Sequence, residues 1–243
     1  MAAGPWLGLL AGAFFAEVIG TMAGFGAATI LTPIVALVLD MKTAIAVVAC
    51  FHLFGNASRL VFFGRHVRWP VWGWFGITGV LLSVAGAALT VRLPSSVLTA
   101  LFGLFLLLYA GWSWRAPAAA LPATTAVLLG GGAASGFIAG LLGTGGAIRS
   151  ACLLAFQLPK DAYIGTSAAI ALLVDATRLP VYLAEGLIPR AYVLFMVSLV
   201  GTAFAGAWLG QRLVRRIAEA VFRRFVLVML ALMGLRMLWH GSL

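Results

Sequence analysis

Residues 43–63 read TAIAVVACFHLFGNASRLVFF, an apolar run long enough to cross a bilayer and broken by the polar tetrad Asn56-Ala57-Ser58-Arg59. A shift of 119 positions lays that tetrad on Asp175-Ala176-Thr177-Arg178, which interrupts a second apolar run in the same way. The same shift lays Gly12 on Gly131, Gly24 on Gly143, Gly26 on Gly145 and Pro70 on Pro189. Chance matching of apolar residues does not preserve polar, glycine and proline positions, so the chain reads as two similar halves. Short slips extend the register, aligning Arg92-Leu93 with Arg212-Leu213 and Gly111 with Gly234.

Around this core the composition is that of a membrane protein. Of 243 residues, 63% are apolar and 9% charged, against about 25% charged in an ordinary soluble domain. A water-soluble fold is excluded. A spanning helix takes about 20 residues, so the chain holds on the order of ten membrane segments and no extramembrane domain. The net charge of +10 comes from 16 Lys and Arg against 6 Asp and Glu, placed mainly between apolar runs. That is a topology signal rather than a nucleic-acid surface. Cys50 and Cys152 lie inside apolar runs, with neither a CxxC nor a His/Cys cluster, so two free buried thiols are expected, with no metal and no cofactor. No basic residue precedes the first apolar stretch, and that segment is expected to be retained.

Breaker residues divide the chain into segments. The first half gives an arm over 5–22, a glycine break, a shorter arm over 25–39, and runs over 43–63, 70–91 and 95–114. The second repeats the layout with 124–142, a glycine break, 147–158, 162–183, 190–209 and 220–239. The halves are therefore 1–114 and 123–243, joined by a proline- and alanine-rich linker over 115–122. Loop charge decides their relative orientation. The loop holding Arg65 and Arg68 carries +2 and its counterpart, with Glu185 and Arg190, zero; the Arg92 loop carries +1 and its counterpart over 211–224 carries +4. Inverted halves gather the +2 and +4 loops on one side. The expected fold is thus an all-α integral membrane protein of two inverted-topology repeats, each a glycine-broken short helix pair plus three transmembrane helices. The linker is then cytoplasmic and both termini outside. Trp69, Trp72, Trp74, Trp112, Trp114 and Trp239 fall near span ends, as an interfacial belt does.

The candidate chemistry sits at the breaks. Gly24-Phe25-Gly26-Ala27 and Gly143-Thr144-Gly145-Gly146 each open a short arm, where the first amides of a helix have no internal partner and face the positive end of its dipole. Irregular backbone at matching places in repeated halves points to a transporter's binding site; the alternative is glycines that merely let helices pack. Arg149, one turn into the second short arm, is a cation inside the membrane, facing the same anion or held by a structural pair. His52, Asn56 and Arg59 share a helical face, as do Asp175 and Arg178. These residues, with Ser58 and Thr177, either line a solute path or neutralise one another, and Arg59 is also within snorkelling reach of a span end. Glu17, His52 and Asp175 are candidates for proton coupling. No catalytic constellation is present: Cys50 and His52, two residues apart on a helix, diverge.

The pattern resembles the TauE/SafE family of sulfite exporters over nearly the whole chain. It is carried by the glycine break and short arm running from Gly24-Phe25-Gly26 through Pro33 and from Gly143-Thr144-Gly145-Gly146 through Leu154, and by Pro159-Lys160-Asp161-Ala162 leading into Gly165-Thr166-Ser167. The first half departs from that signature, reading Met41-Lys42-Thr43-Ala44 then Ala46-Val47-Val48-Ala49, and Pro33 has Cys152 as its counterpart. The resemblance implies a bacterial inner-membrane exporter of small sulfur-containing anions such as sulfite, thiosulfate or sulfonates like sulfoacetate. Its partners are that anion and the lipid bilayer; a homo-oligomer is compatible. A passive anion channel and a non-transporting scaffold or receptor are the alternatives.

Overall fold

The computed structural model describes residues 3–23, 26–115, 121–189, 192–213 and 219–241, which contain ten α-helices and no strand. They are α1 (Ala3–Ala23), α2 (Ala28–Val35), α3 (Met41–Phe63), α4 (Trp69–Arg92), α5 (Ser95–Arg115), α6 (Thr125–Leu142), α7 (Gly146–Leu154), α8 (Lys160–Ala184), α9 (Val193–Leu213) and α10 (Glu219–Gly241). A single 3₁₀ turn, Gly64–His66, links α3 to α4. Five helical segments of 18 to 26 residues, made of α3 with this turn, α4, α5, α6 and α8, are long and apolar enough to cross a membrane. The 24 residues of α4 rise about 36 Å against a hydrocarbon core of about 30 Å. The outer faces suit lipid: Leu7, Val61, Leu81, Leu108 and Leu235 are exposed, as are Trp69, Trp74, Trp112, Trp114 and Trp239.

The two short arms end sooner than the apolar runs suggest. α2 stops at Val35 rather than Leu39, because the chain must turn through 36–39 to bring Asp40 to the start of α3, where Oδ1 accepts from the amides of Lys42 (3.1 Å) and Thr43 (3.3 Å). α7 stops at Leu154 rather than Leu158: Gln157 is left-handed (φ 46°), and Leu158 precedes Pro159, which disfavours helix. α9 instead runs on to Leu213, carrying Arg212 in its last turn with its guanidinium 3.9 Å from the Trp208 ring centroid. At 8 and 9 residues, α2 and α7 reach about 12 to 14 Å, and neither crosses a bilayer alone.

Packing is dominated by contacts between the N-terminal and C-terminal five helices. α4 lies on α6, α9 on α1, α3 on α8 and α5 on α10; α4 also meets α8, as α9 meets α3. Exchanging α1–α5 for α6–α10 turns these pairings into themselves. Apolar side chains gain little by leaving lipid for one another, so close approach of backbones must hold such helices. Gly132, Gly136 and Gly140 of α6 supply it: a Cβ on them would fall 2.2, 2.1 and 2.1 Å from the carbonyl oxygens of Phe75, Gly79 and Ser83 on α4. Thr90 adds bonds to the carbonyls of Gly140 (2.9 Å) and Leu141 (2.8 Å). Where α5 crosses α10, Gly234 lies against the carbonyl of Gly103.

Two outcomes test this account. Gly136→Ala should lower the thermal unfolding midpoint in detergent by an amount equivalent to about 1–3 kcal/mol of overpacking, whereas Gly130→Ala, which meets nothing within 4 Å, should leave it unchanged. Asp40→Ala should cost about 1 kcal/mol of capping. Partial burial works against the Asp40 carboxylate, but hydrogen bonds from Thr43, Ser95 and Lys42 outweigh it and hold its pKa below the usual value. The cap's stabilisation is therefore present at neutral pH and lost as pH falls through that lowered pKa, so the difference between wild type and Asp40→Ala should shrink in acid.

Candidate functional site

The polar tetrads of α3 and α8 face each other, because these two helices pack together at the centre of the fold. Asp175 is the meeting point. Its Oδ2 accepts from Asn56 Nδ2 at 3.0 Å and lies 2.8 Å from His52 Nδ1. Two lone pairs cannot face each other at that separation, so Nδ1 carries the hydrogen and donates. Asp175 Oδ1 accepts from Arg178 Nε (2.9 Å) and Nη2 (2.7 Å). The Arg178 guanidinium also donates to the carbonyls of Ala139 and Gly143 (3.4 Å to the latter). It thereby closes the carbonyl end of α6, where a positive charge is favoured by the helix dipole.

The chain of contacts continues into α1. Arg59 Nη1 donates to Asn56 Oδ1 (2.8 Å), Nε to Thr21 Oγ1 (3.0 Å) and Nη2 to Glu17 Oε1. Thr21 donates to the same Glu17 oxygen at 3.2 Å. Glu17 fits because glycines flank it: a Cβ on Gly55 would fall 2.6 Å from Oε2, and one on Gly206 of α9 would fall 2.8 Å from the Glu17 Cβ. Glu17, Arg59, Asn56, Asp175, His52 and Arg178 are all at least nine-tenths buried. Breaking such a cluster leaves an uncompensated charge in a medium that solvates it poorly.

Beside this network the two glycine breaks meet. Gly26 (φ 93°) and Gly143 (φ 79°) take left-handed backbone, and each starts the turn into a short arm. Ser135 donates to the carbonyl of Gly145 (2.8 Å), fixing the second break to α6. The hydroxyls of Thr29, on the first turn of α2, and Thr144 stand 2.5 Å apart and join the two arms. The first backbone bond of α7 is from Arg149 N to Gly145 O (3.1 Å), so the amides of Gly146, Ala147 and Ile148 have no intrahelical acceptor. Arg149, 3% exposed, donates from Nε to Ser167 Oγ at 2.9 Å and pairs with no carboxylate among the described residues. His52 Nε2 has no hydrogen-bond partner among the described residues and lies 2.5 Å from where a Cβ on Gly26 would stand.

Most of the candidate residues thus converge. Gly26, Ala27, Gly143, Thr144, Gly145, Gly146 and Arg149 lie at the breaks, and Glu17, His52, Asn56, Arg59, Asp175 and Arg178 form the network beside them. Gly24 and Phe25 lie outside the described residues. Ser58 and Thr177 are elsewhere: Ser58 bonds the Gly55 carbonyl (2.8 Å), and Thr177 faces Ser83 of α4 (3.0 Å). Arg59 points inward rather than to a membrane surface. Thr21, Thr29 and Ser167 are contacts the sequence reading did not single out. In Gly165-Thr166-Ser167 each residue has its own task. Gly165 admits the Phe63 carbonyl (2.5 Å from a Cβ), Thr166 accepts from Arg68 N (2.9 Å), and Ser167 holds Arg149. At the ends of α3 and α8, a cavity of about 540 Å³ is lined by Arg65, His66, Arg68, Lys160 and Asp161.

The family described as Sulfite exporter TauE/SafE matches residues 9–237. No curated protein and no solved structure matches the chain significantly. The chain belongs to the TauE/SafE family, whose members are membrane transporters rather than enzymes, and it is an integral membrane protein.

Removing one member of the buried network should be far worse than removing a pair. Arg59→Gln, which strands Glu17, should cost about 3–5 kcal/mol in apparent stability, and adding Glu17→Gln should restore much of it, as read by a double-mutant cycle of thermal unfolding in detergent.

Proposed function

We propose that this member of the TauE/SafE family is a secondary transporter that exports a small sulfur-containing anion such as sulfite, thiosulfate or an organosulfonate like sulfoacetate by alternating access. The observation that carries this reading is one of charge. Among the described residues that are nine-tenths buried there are three guanidinium groups, Arg59, Arg149 and Arg178, against two carboxylates, Glu17 and Asp175. Arg59 and Arg178 are committed to the carboxylates, and Arg149 is left over. It stands at the start of α7, beside amides without intrahelical acceptors and the Thr144 hydroxyl. A small oxyanion supplies what this place lacks: one negative charge and acceptor oxygens.

The contact of Thr29 with Thr144 favours one central site over two separate ones. In this reading the halves 1–114 and 123–243 are inverted repeats, supported by loop charge and by pairings that survive exchange of α1–α5 for α6–α10. Rocking of one against the other opens the site to each side in turn. The linker over 115–122 faces the cytoplasm, the termini lie outside, and the membrane is the bacterial inner one. The basic cavity around Arg65 and Arg68 gives an anion a charged approach.

Purified protein in liposomes should carry at least one of sulfite, thiosulfate and sulfoacetate with saturable kinetics. Arg149→Ala should reduce that flux about 10- to 100-fold, the value of a charge-assisted hydrogen bond of about 1.5–3 kcal/mol. Currents that do not saturate or show counterflow would make the protein a channel. Absence of flux and of binding for all three anions would make it a non-transporting membrane protein.

A further inference from the structure

Two polar atoms of the network, Glu17 Oε2 and His52 Nε2, have no hydrogen-bond partner among the described residues, and His52 Nε2 is the one that faces a glycine break. The Asp175 carboxylate is held at both oxygens; Glu17 is paired with Arg59 through Oε1, and its Oε2, without a partner among the described residues, lies against Gly55 of α3 rather than at a glycine break. His52 differs. Asp175 fixes its tautomer through Nδ1–H, so the lone pair of the neutral ring is at Nε2, buried, without a partner among the described residues and aimed at the turn of Gly26. The charged groups around His52 are Asp175 from α8, Arg149 from α7 and Arg59 on its own helix, with Asn56 beside it; Arg178 stands behind Asp175 and Glu17 behind Arg59, and α2 carries no charged residue. With His52 neutral, the buried groups sum to a single positive charge.

Resting on the transport reading above, we infer that His52 Nε2 sets the charge form in which the anion is carried: a monoanion alone, or a dianion together with one proton. A monoanion neutralises the surplus at Arg149 directly. A dianion leaves one negative charge over, which a proton cancels. That proton resides on Nε2, donated to an oxyanion oxygen, or on the oxyanion itself, donated to the Nε2 lone pair. The two forms have the same atoms and total charge, and no other bond is made or broken. The proton is released with the anion on the far side, and His52 returns to neutral. Net charge moved is therefore one negative unit per anion, whatever the anion's charge in solution.

The test uses the full-length protein in liposomes loaded with a pH-sensitive dye, with membrane voltage set by potassium and an ionophore. Methanesulfonate, a monoanion with no acidic proton, is compared with thiosulfate, a dianion at neutral pH. Thiosulfate flux should move one proton per anion, methanesulfonate flux none, and both should show the voltage dependence of one charge. His52→Gln should abolish the proton signal of thiosulfate and lower its flux at least tenfold relative to the methanesulfonate flux of the same variant. Thiosulfate carried by wild type without protons overturns the inference while leaving transport intact. So do protons moving with methanesulfonate, or a proton signal that survives in His52→Gln. If the variant carries neither anion, the wild-type stoichiometry decides alone. Flux of neither anion in wild type overturns this inference, and the transport reading falls with it only if sulfite and sulfoacetate are not carried either.

Discussion

Everything at the centre of this fold depends on keeping guanidinium groups inside a medium that solvates charge badly. Asp175 does most of that work. It gathers Asn56 and His52 from α3 and Arg178 from its own helix, and through Arg178 it ties α8 to the carbonyl end of α6. Arg59 repeats the arrangement with Glu17 and Thr21. The arginines at matching positions thus both answer a carboxylate, and Arg178 in addition caps carbonyls at the end of α6. In hydrocarbon each such group needs a partner, so the network specifies which helices lie together as strictly as a hydrophobic core does in water.

Two of the interfaces that cross between the halves, α4 on α6 and α1 on α9, solve one packing problem differently. On α6 the contact face is Gly132, Gly136 and Gly140, and the α4 backbone lies directly on it. At the matching positions α1 carries Ala13, Glu17 and Thr21, and there the glycines sit on the partner, Gly206 and Gly210 of α9. Moving the small residues across the interface opens room on α1 for a buried acid. Glu17 is thus present because its neighbours gave up their side chains.

Hydropathy, glycine breaks and the displaced tetrads were enough to divide the chain into its helices and to bring Asn56 and Arg59 together with Asp175 and Arg178 as a group. Helical period also sorts the tetrads further than composition does. Ser58 and Thr177 lie two positions beyond Asn56 and Asp175, so they turn away, to their own helix and to α4. What stayed hidden were contacts between residues far apart in sequence. Thr29 meets Thr144 across 115 positions, and nothing local to either marks it as a partner. Ser167 holds Arg149 from the next helix, although both lie in motifs the sequence displays plainly. The ends of α2 and α7 were misplaced because an apolar turn looks like apolar helix until the cap of the next helix is known.

The pairing of α1 with α9 also bears on how the protein is made. A chain emerging from its N-terminus delivers Glu17 to the bilayer 42 residues ahead of Arg59, and the helix that α1 finally rests on is complete only at Leu213. α4 waits less, since α6 follows soon after. Assembly therefore cannot finish one half before starting the other. Glu17 finds Arg59 once α3 is made, but the face of α1 that rests on α9 stays without that helix until the last third of the chain has been synthesised.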